Sequence, residues 1–265
     1  MSDHHYFSRV RLDLAGLDRR ELLRLTCGDA YIDHAMMWRL FPGDAEARRD
    51  FVFRAERDPN DWPEYYVVSQ RQPRSIPGLL DVASKPFAPA LHTGDRLHFR
   101  LRANPTEATA EAVGSTELAR YNAQRTLSGL KEKPQRVRRR FHDVLMATKR
   151  RHPVPESGSS EHKQAQWDAL DNAARTWISK RLGEAGVRSV DRLSRFSGEL
   201  EPSIDWTGYT QHRLEHRGRR IQFSSVDYEG MVEVTDPAKL QLALVAGIGR
   251  AKAFGCGLLL VRRAE

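Results

Sequence analysis

Cysteine is scarce in this sequence, with only Cys27 and Cys256 among 265 residues. Two cysteines cannot form the disulfide framework of a small secreted domain, which favours a reducing compartment. Neither lies in a Cys-x-x-Cys pair or near a His-x-x-His pair, the spacings typical of zinc ligands. A Gly-Lys-Ser/Thr phosphate loop is also lacking, so we expect neither a metal nor a cofactor.

Long hydrophobic runs are absent as well. The longest apolar run lies near 257–261, far short of the ~18 residues that a membrane span needs. Residues 1–6 are polar and lead into charged sequence, unlike a secretory signal. We therefore expect a cytoplasmic protein that has no membrane partner.

Positive charge is in excess. The 43 lysines and arginines outnumber the 35 acidic residues, and the pI is about 9.7. Such an excess favours polyanionic partners, either nucleic acid or an anionic membrane surface. A basic but otherwise ordinary enzyme is the alternative on composition alone.

The first 105 residues alternate between strand and helix patterns. Period-two alternation predicts half-buried strands, and Asp29 is a good N-cap for a helix that Pro42 and Gly43 end. The resulting order is β-α-β-β-β with a short irregular stretch before the last strand, which predicts a ferredoxin-like or RRM-like domain. The predicted strands cover 6–14, 50–55, 65–70 and 95–102, and the predicted helices cover 17–25 and 29–40.

The second half again alternates between helix and strand patterns, after a basic segment that contains prolines. Apolar residues recur at helical spacing over 161–182, a hairpin is predicted over 207–223, and a second helix follows Asp236 and Pro237. We therefore predict an α+β protein of two tandem ferredoxin-like domains. The predicted boundaries are 1–105, a basic linker or insertion over 106–160, and 161–265.

The candidate catalytic residues are Tyr31 and His34, which share one face of the second predicted helix. A histidine can take a proton from a ribose 2′-hydroxyl or give one to a leaving 5′-oxygen. Since RNA carries its own nucleophile, such a reaction requires no metal-activated water. The alternative is that this pair is structural or merely exposed.

Two further segments are candidates for phosphate contact. Gly249 and Gly255 flank Arg250 and Lys252, and glycines let backbone amides approach phosphates closely. A tight turn packed near a sheet is the alternative for this segment. The predicted hairpin carries a basic tip that could contact an RNA stem, or could protect a sheet edge from aggregation. Its candidate RNA-binding residues are Arg213, Arg217, Arg219 and Arg220.

Several strings in this order resemble the CasE family, the CRISPR-associated endoribonucleases of the type I-E Cascade complex. Among them, the arginine string over 100–105 and the glycine segment over 247–259 are the most specific. The matching strings are Tyr31-x-x-His34, Trp38-Arg-Leu-Phe-Pro42, Phe51-Val-Phe53, Lys85-Pro-Phe87, Phe99-Arg-Leu-Arg-Ala-Asn-Pro105, Tyr228-Glu-Gly230 and Gly247-Ile-Gly-x-Ala-Lys-x-Phe-Gly-Cys-Gly-Leu-Leu259.

The resemblance implies an enzyme that binds the stem-loop of CRISPR repeat RNA and cuts the precursor at the base of the stem. It implies cleavage without metal, a 2′,3′-cyclic phosphate product, and retention of the crRNA beside other Cascade subunits, with no small-molecule substrate. It places His34 at the family's catalytic histidine and Tyr31 at an assisting tyrosine. The alternatives are a non-catalytic RNA-binding subunit or a structural subunit of an RNA–protein assembly.

Two departures from the family pattern bear on function. Ala35 stands where some relatives place a basic residue, so the charge of the phosphorane requires another partner, for which Arg39 is the candidate. The segment over 106–160 is longer and more basic than the resemblance leads us to expect. Its role is open between RNA contact and a solvated, partly mobile linker.

Overall fold

The structure is a computed structural model that describes residues 4–13, 16, 20, 25, 29–43, 48–57, 60, 62–155, 157–194, 198–216 and 218–264. The predicted helix over 17–25 falls largely outside these residues. The chain divides into two units, one formed by Met1–Pro105 with Asp171–Glu265 and the other by Thr106–Leu170. Of the helices described, none is both long and apolar enough to cross a membrane.

The first unit contains a four-stranded antiparallel sheet in the order β2-β3-β1-β4. This is the strand order of a ferredoxin-like domain, and helix α1 follows its first strand as that fold requires. Three of the strands match the predicted ones, whereas β4 was not predicted. The elements are β1 (Tyr6–Leu12), α1 (Ala30–Arg39), β2 (Phe51–Arg57), β3 (Pro63–Ser69) and β4 (Leu80–Pro86).

Helix α1 begins at the predicted cap. The Asp29 carboxylate accepts hydrogen bonds from the backbone N–H of Tyr31 at 2.9 Å and of Ile32 at 3.2 Å. The helix buries Met36 and Met37 against one face of the sheet, in a cluster with alternate residues of the strands. That packing fixes which face of α1 remains available to the site. The strand residues of this cluster include Val10, Leu12, Phe51, Phe53, Tyr65 and Val67.

The same unit contains a second sheet in the order β11-β12-β5-β13, to which β8 adds by pairing with β12. Taken with two helices, this is again the ferredoxin-like order, in which β5 is the first strand and β11 and β12 form the hairpin. The fold is therefore α+β with two tandem ferredoxin-like domains, as predicted. Its elements are β5 (Arg96–Ala103), α4 (Ser160–Glu184), β8 (Val187–Ser189), β11 (Ile204–His216), β12 (Arg219–Val234), α5 (Pro237–Ala246) and β13 (Leu259–Arg263). Strands β9 (Asp191–Leu193) and β10 (Leu200–Pro202) form a separate pair.

One strand lies in a different sheet from the one predicted. The sequence placed the strand over 95–102 at the end of the first domain, but β5 pairs with β12 and β13 of the second sheet. The first sheet is instead completed by β4, which pairs with β1. A strand shows the same alternation of apolar and polar residues whichever sheet it joins, so periodicity could not identify its partner strands. The predicted domain boundaries stay a prediction.

The second unit follows β5 in the chain and ends within α4. Low apolar periodicity predicted a linker there, but the unit contains regular elements, including an antiparallel pair of strands. The two helices were missed because their apolar residues form no long stripe. The elements are β6 (Thr106–Ala112), α2 (Ser115–Leu127), β7 (Val137–Asp143) and α3 (Val144–Arg151).

The two sheets of the first unit are joined by a shared carboxylate. Asp227 of β12 accepts hydrogen bonds from Arg102 of β5 at 3.0 and 2.9 Å, and pairs at 3.0 Å with Arg54 of β2. The Arg54 side chain is only 2% exposed, and it also pairs with Glu56. Arg102 donates a further hydrogen bond to the carbonyl of Ala55 at 2.8 Å. A buried guanidinium is tolerated only when it is paired, so Asp227 stabilises the contact between the sheets.

We expect Asp227→Ala to lower the free energy of unfolding by about 3 kcal/mol, because it leaves the buried Arg54 with Glu56 alone. Urea denaturation followed by circular dichroism measures the loss. Glu229→Ala is the matched control on the same strand, since Glu229 is 65% exposed and lies 3.8 Å from Arg100. The control should lose less than about 1 kcal/mol. Equal losses in the two variants would contradict this role of Asp227.

Candidate active site

His34 lies on α1, half-buried among aromatic rings. Its ring centroid is 6.1 Å from that of Tyr31, 6.3 Å from that of Trp38 and 5.8 Å from that of Phe254. The Nδ1 atom is buried and has no hydrogen-bond partner within the described part of the chain. An imidazole in this setting is held in place by packing, and its Nδ1 atom is closed to solvent.

A buried hydrogen bond fixes the rotation of α1 about its own axis. The hydroxyl of Tyr65, on β3, donates to the Asp33 carboxylate at 2.7 Å. Burial raises the pKa of Asp33, and the Tyr65 hydrogen bond opposes that shift. Because Asp33 precedes His34, anchoring its side chain against the sheet directs the imidazole away from the same core.

The glycine-rich segment between α5 and β13 folds back against α1. Gly247 and Gly257 lie where the backbone of this segment packs closely on itself. A Cβ on Gly257 would lie 2.7 Å from the Ile248 carbonyl oxygen. Ala251 has φ of 55°, a left-handed conformation that strains any residue with a Cβ. This strained residue begins the 3-10 turn Lys252–Phe254, which contacts α1. Gly247 and Gly257 thus fit the alternative of a tight turn packed near a sheet. The 3-10 turn between them, however, lies beside His34.

Two cations adjoin the histidine. The Nη1 atom of Arg49 is buried and has no hydrogen-bond partner among the described residues. Lys252 donates from Nζ to the Ala246 carbonyl at 2.7 Å. Burial lowers the pKa of Lys252, and the charge of Arg49 lowers it further, so the two cations repel each other. Neither cation has a carboxylate partner in the described residues, which leaves the site able to accept an anion.

The same surroundings act on the histidine. Burial lowers the pKa of His34 below its ordinary value, the Ala253 backbone opposes this shift, and the charge of Arg49 adds to it. The neutral imidazole is therefore favoured by the fold. A neutral ring is the form that accepts a proton.

The hairpin of β11 and β12 contributes aromatic residues to the site. Phe223 stacks on Phe254 at 5.2 Å between centroids, and His212 stacks on Phe223 at 4.4 Å. The His212 Nε2 atom lies 2.8 Å from the Ser225 hydroxyl oxygen. Burial lowers the pKa of His212, and the charge of Arg102 lowers it further. A continuous row of rings thus connects the hairpin with His34.

The structure brings some of the predicted site residues together and separates others. Tyr31, His34 and Lys252 share one site. Arg39 is exposed five positions after His34, about 140° further around the helix at 3.6 residues per turn. Gly249 and Arg250 are exposed, whereas Gly255 is buried with its Cα side against Phe53.

Two of the hairpin arginines, Arg213 and Arg220, do not lie on the face that meets Phe254. Arg213 pairs in register with Gln222, one position away from the His212–Phe223 pair, and neighbouring positions on a strand face opposite ways. Arg220 is opposite Glu215 on the same face as Arg213, and both arginines are exposed. Arg217 lies outside the described residues, as does the side chain of Arg219.

Sequence reasoning missed Arg49, Phe223 and Phe254 as site residues. Arg49 lies between two predicted elements and belongs to no motif, so no local pattern could single it out. Phe254 lies inside the glycine-rich segment, where only the glycines and cations were predicted to contact RNA. Among the described residues, no group of three or more histidine, cysteine or acidic side chains is placed to hold a metal ion.

We expect the pKa of His34 to lie below 6.5, its ordinary value, since burial disfavours the imidazolium form. Arg49→Ala should raise it, because a neighbouring positive charge is removed. NMR titration of the ring resonances measures both values. A folded-state pKa below the unfolded one also means that His34 favours folding above pH 6.5 and loses this contribution as the pH falls.

The matched control for this titration is Arg39→Ala, which removes an exposed cation from the same helix. It should leave the midpoint of His34 in place. A shift as large as that of Arg49→Ala would mean that general electrostatics, and not the local position of Arg49, sets the pKa.

Two curated relatives are similar to this chain over most of its length. One is the CRISPR-associated endoribonuclease Cse3 of Thermus thermophilus, 26% identical over 85% of this chain and 79% of its own. The other is the CRISPR system Cascade subunit CasE of Escherichia coli, 24% identical over 87% of this chain and 90% of its own. Both agree with the resemblance drawn from the sequence.

Solved structures have the same fold. Thermus thermophilus Cse3 bound to an RNA representing a pre-cleavage complex matches with a TM-score of 0.60 and 25% identity, over 98% of this chain and 99% of that one. Cas6e from Escherichia coli matches with a TM-score of 0.55 and 22% identity, over 98% and 100%. The family model described as CRISPR associated protein matches residues 5–263. The chain therefore belongs to the CRISPR associated protein family, and the resemblance to its CasE members is confirmed.

Proposed function

We propose that this chain is an endoribonuclease that binds the stem-loop of CRISPR repeat RNA and cuts the precursor at the base of the stem. The observation that carries the proposal is the placement of His34. Its ring lies beside the cations Arg49 and Lys252, in a site without a described carboxylate partner for either. The relative named an endoribonuclease and the structure with RNA in a pre-cleavage complex support the same activity.

The proposed reaction uses the RNA's own 2′-hydroxyl as nucleophile. Its oxygen attacks the adjacent phosphorus while the bond from phosphorus to the 5′-oxygen breaks. The products are a 2′,3′-cyclic phosphate and a 5′-hydroxyl. One proton must leave the 2′-hydroxyl and one must reach the 5′-oxygen, which is the work of a general base and a general acid. No redox step and no metal-bound water enters this balance.

His34 is suited to the first proton transfer. Because burial lowers its pKa, the ring is largely neutral near pH 7 and can accept the proton of the 2′-hydroxyl. Tyr31, with its ring centroid 6.1 Å from that of His34, is placed to orient the nucleophile. The imidazolium formed in this transfer can then give the proton to the leaving 5′-oxygen, which closes the proton balance.

Because position 35 is an alanine and not a basic residue, other residues must offset the negative charge that develops on the phosphorane. Arg49 and Lys252 supply the two cations that adjoin His34, and a guanidinium can donate two parallel hydrogen bonds to a phosphate. Arg39 is less suited to this role, since it lies on another face of α1. We assign Arg39 and Arg250 to contacts with the RNA backbone further from the reacting phosphate.

The remaining RNA contacts are assigned to the hairpin and the glycine turn. Exposed arginines can follow the phosphates of an A-form stem, whose wide minor groove side chains can reach. Gly249 is exposed and can admit a phosphate to its backbone, whereas the buried Gly255 keeps the turn in shape. The hairpin arginines assigned this role are Arg213, Arg217, Arg219 and Arg220.

The proposed partners are other subunits of a Cascade assembly in the cytoplasm. One relative is named a Cascade subunit, and retention of the cut RNA would deliver it to that assembly. A non-catalytic RNA-binding subunit is the second candidate, since two ferredoxin-like domains can bind RNA without cutting it. Incubation with a labelled repeat hairpin separates the two, because only the enzyme shortens the strand.

We expect His34→Ala to slow cleavage by roughly 10²- to 10⁴-fold, the contribution of a positioned acid–base group, while RNA affinity is retained. Single-turnover cleavage assays and fluorescence anisotropy measure the two effects. His92→Ala is the control, since His92 is a 73% exposed histidine of the same unit. Undiminished cleavage by His34→Ala would remove His34 from the mechanism.

We further expect cleavage to persist in excess EDTA, because the nucleophile and the proton acceptor come from the RNA and from His34. Mass spectrometry of the RNA ends should find the 2′,3′-cyclic phosphate. Activity that EDTA abolishes and added Mg²⁺ restores would contradict attack by the 2′-hydroxyl. A product with a 3′-hydroxyl and a 5′-phosphate would contradict it as well.

A further inference from the structure

The positive charge of the chain is densest in one stretch of the second unit. Residues 131–151 contain nine lysines and arginines against two acidic residues, a net charge of +7, while the whole chain carries +8. The rest of the sequence is thus close to neutral. An excess of this density attracts a polyanion, and the long-range attraction attributed to the whole chain belongs mainly to this stretch.

The strand pair of this unit has two chemically different faces. Residues directly opposite in an antiparallel pair share a face, so the register assigns each side chain to one of two sets. One face carries charged residues that are largely paired with each other. Arg140 pairs with Glu111 at 3.0 Å, and Arg138 pairs with Glu117 of α2.

The other face has one cation and is otherwise apolar, except at one end, where Thr106 lies opposite Asp143, whose carboxylate caps α3. Arg139 is exposed and has no ion-pair partner among the described residues, unlike the two arginines that flank it. Phe141 is 44% exposed and Val137 58% exposed. Three alanines opposite them form a flat floor, and all three are exposed: Ala108, Ala110 and Ala112. We call this set the alanine face.

A flat face with an exposed aromatic ring and an arginine has the composition of a surface that stacks unpaired bases. The alanines leave room for a base to lie against the strands, and Phe141 and Arg139 supply ring and guanidinium planes. An RNA stem presents phosphates and groove edges and gives such a face nothing to stack on. A protein partner would gain little from the surrounding charge of +7.

We propose that the alanine face binds single-stranded RNA that adjoins the repeat hairpin of the precursor. This proposal rests on the proposed function, which supplies an RNA that continues beyond its stem. The unit is joined to the rest of the chain at both ends, so a second contact on the same RNA becomes intramolecular and strengthens overall binding. The unit would then add affinity for flanked precursor without taking part in the chemistry.

The test compares two RNAs, the repeat hairpin alone and the same hairpin with single-stranded extensions at either end. Phe141→Ala and Arg139→Ala in the full chain should each weaken binding of an extended RNA by roughly tenfold, and should leave binding and cleavage of the bare hairpin unchanged. Arg139→Ala should also reduce the salt dependence of binding by about one phosphate contact. Fluorescence anisotropy over a series of salt concentrations gives both quantities.

Arg140→Ala is the matched control, because it removes the same charge from the neighbouring position on the paired face. Its effect on the extended RNA should be clearly smaller than that of Arg139→Ala. Phe141→Tyr keeps a stacking ring and should bind like the unchanged protein, which separates stacking from any loss of folding. Thermal melts of all four variants confirm that the unit remains folded.

Equal weakening for both RNAs would overturn the proposal, since the unit would then bind the stem. Unchanged affinity for both RNAs would overturn it too, and would assign the alanine face to a protein partner. An uncut hairpin with the unchanged protein refutes the proposed function instead. The two failures are therefore distinguishable in the same set of assays.

Discussion

Asp227 pairs with two arginines that belong to different sheets. This shared contact holds the two sheets in position against each other. Arg54 reaches it from the first sheet and Arg102 from the second. His34 belongs to the first domain, whereas Lys252 and Phe254 belong to the second. The site between them keeps its geometry only while the sheets stay in register with each other, so a structural ion pair governs the placement of the residues assigned to catalysis.

The sequence strings that carry the family resemblance are explained mainly by this architecture. Arg102 of the string over 100–105 holds the sheets together, and Ala103 is fully buried behind it. In the glycine-rich segment, Gly247 and Gly257 are required by close packing. These strings therefore identify the scaffold that positions the chemistry, and the residues assigned to the reaction occupy only a small part of them.

Most elements of the first domain could be predicted because amphipathic periodicity and the Asp29 cap are local signals. Strand β4 was missed because it buries only Leu80 of its seven residues. Strand β5 was found but given to the wrong sheet, since pairing depends on residues more than 100 positions away. The same limit applied to the site, where His34 and Tyr31 were visible as a helical pair, but Arg49 and Phe223 become neighbours only through the tertiary fold.

The second unit shows the opposite case. Helix α2 and strands β6 and β7 bury no side chain, so the burial that makes secondary structure readable in a sequence is missing from them. What the sequence did show was the charge of residues 131–151, which carry a net +7 while the whole chain carries +8. The composition indicated that the segment attracts a polyanion. Only the register of β6 and β7 distinguished the face with ion-paired residues from the alanine face.

The ring of His34 packs against Phe254, 220 positions later in the chain. During synthesis the ribosome must therefore translate nearly the whole second domain before the imidazole acquires the neighbours that set its pKa. A nascent chain that holds only the first domain carries the histidine with Tyr31, Trp38 and Arg49 but without Phe254 and the backbone of Ala253. Nuclease activity is thereby tied to complete translation, and truncated products are expected to be inert toward cellular RNA.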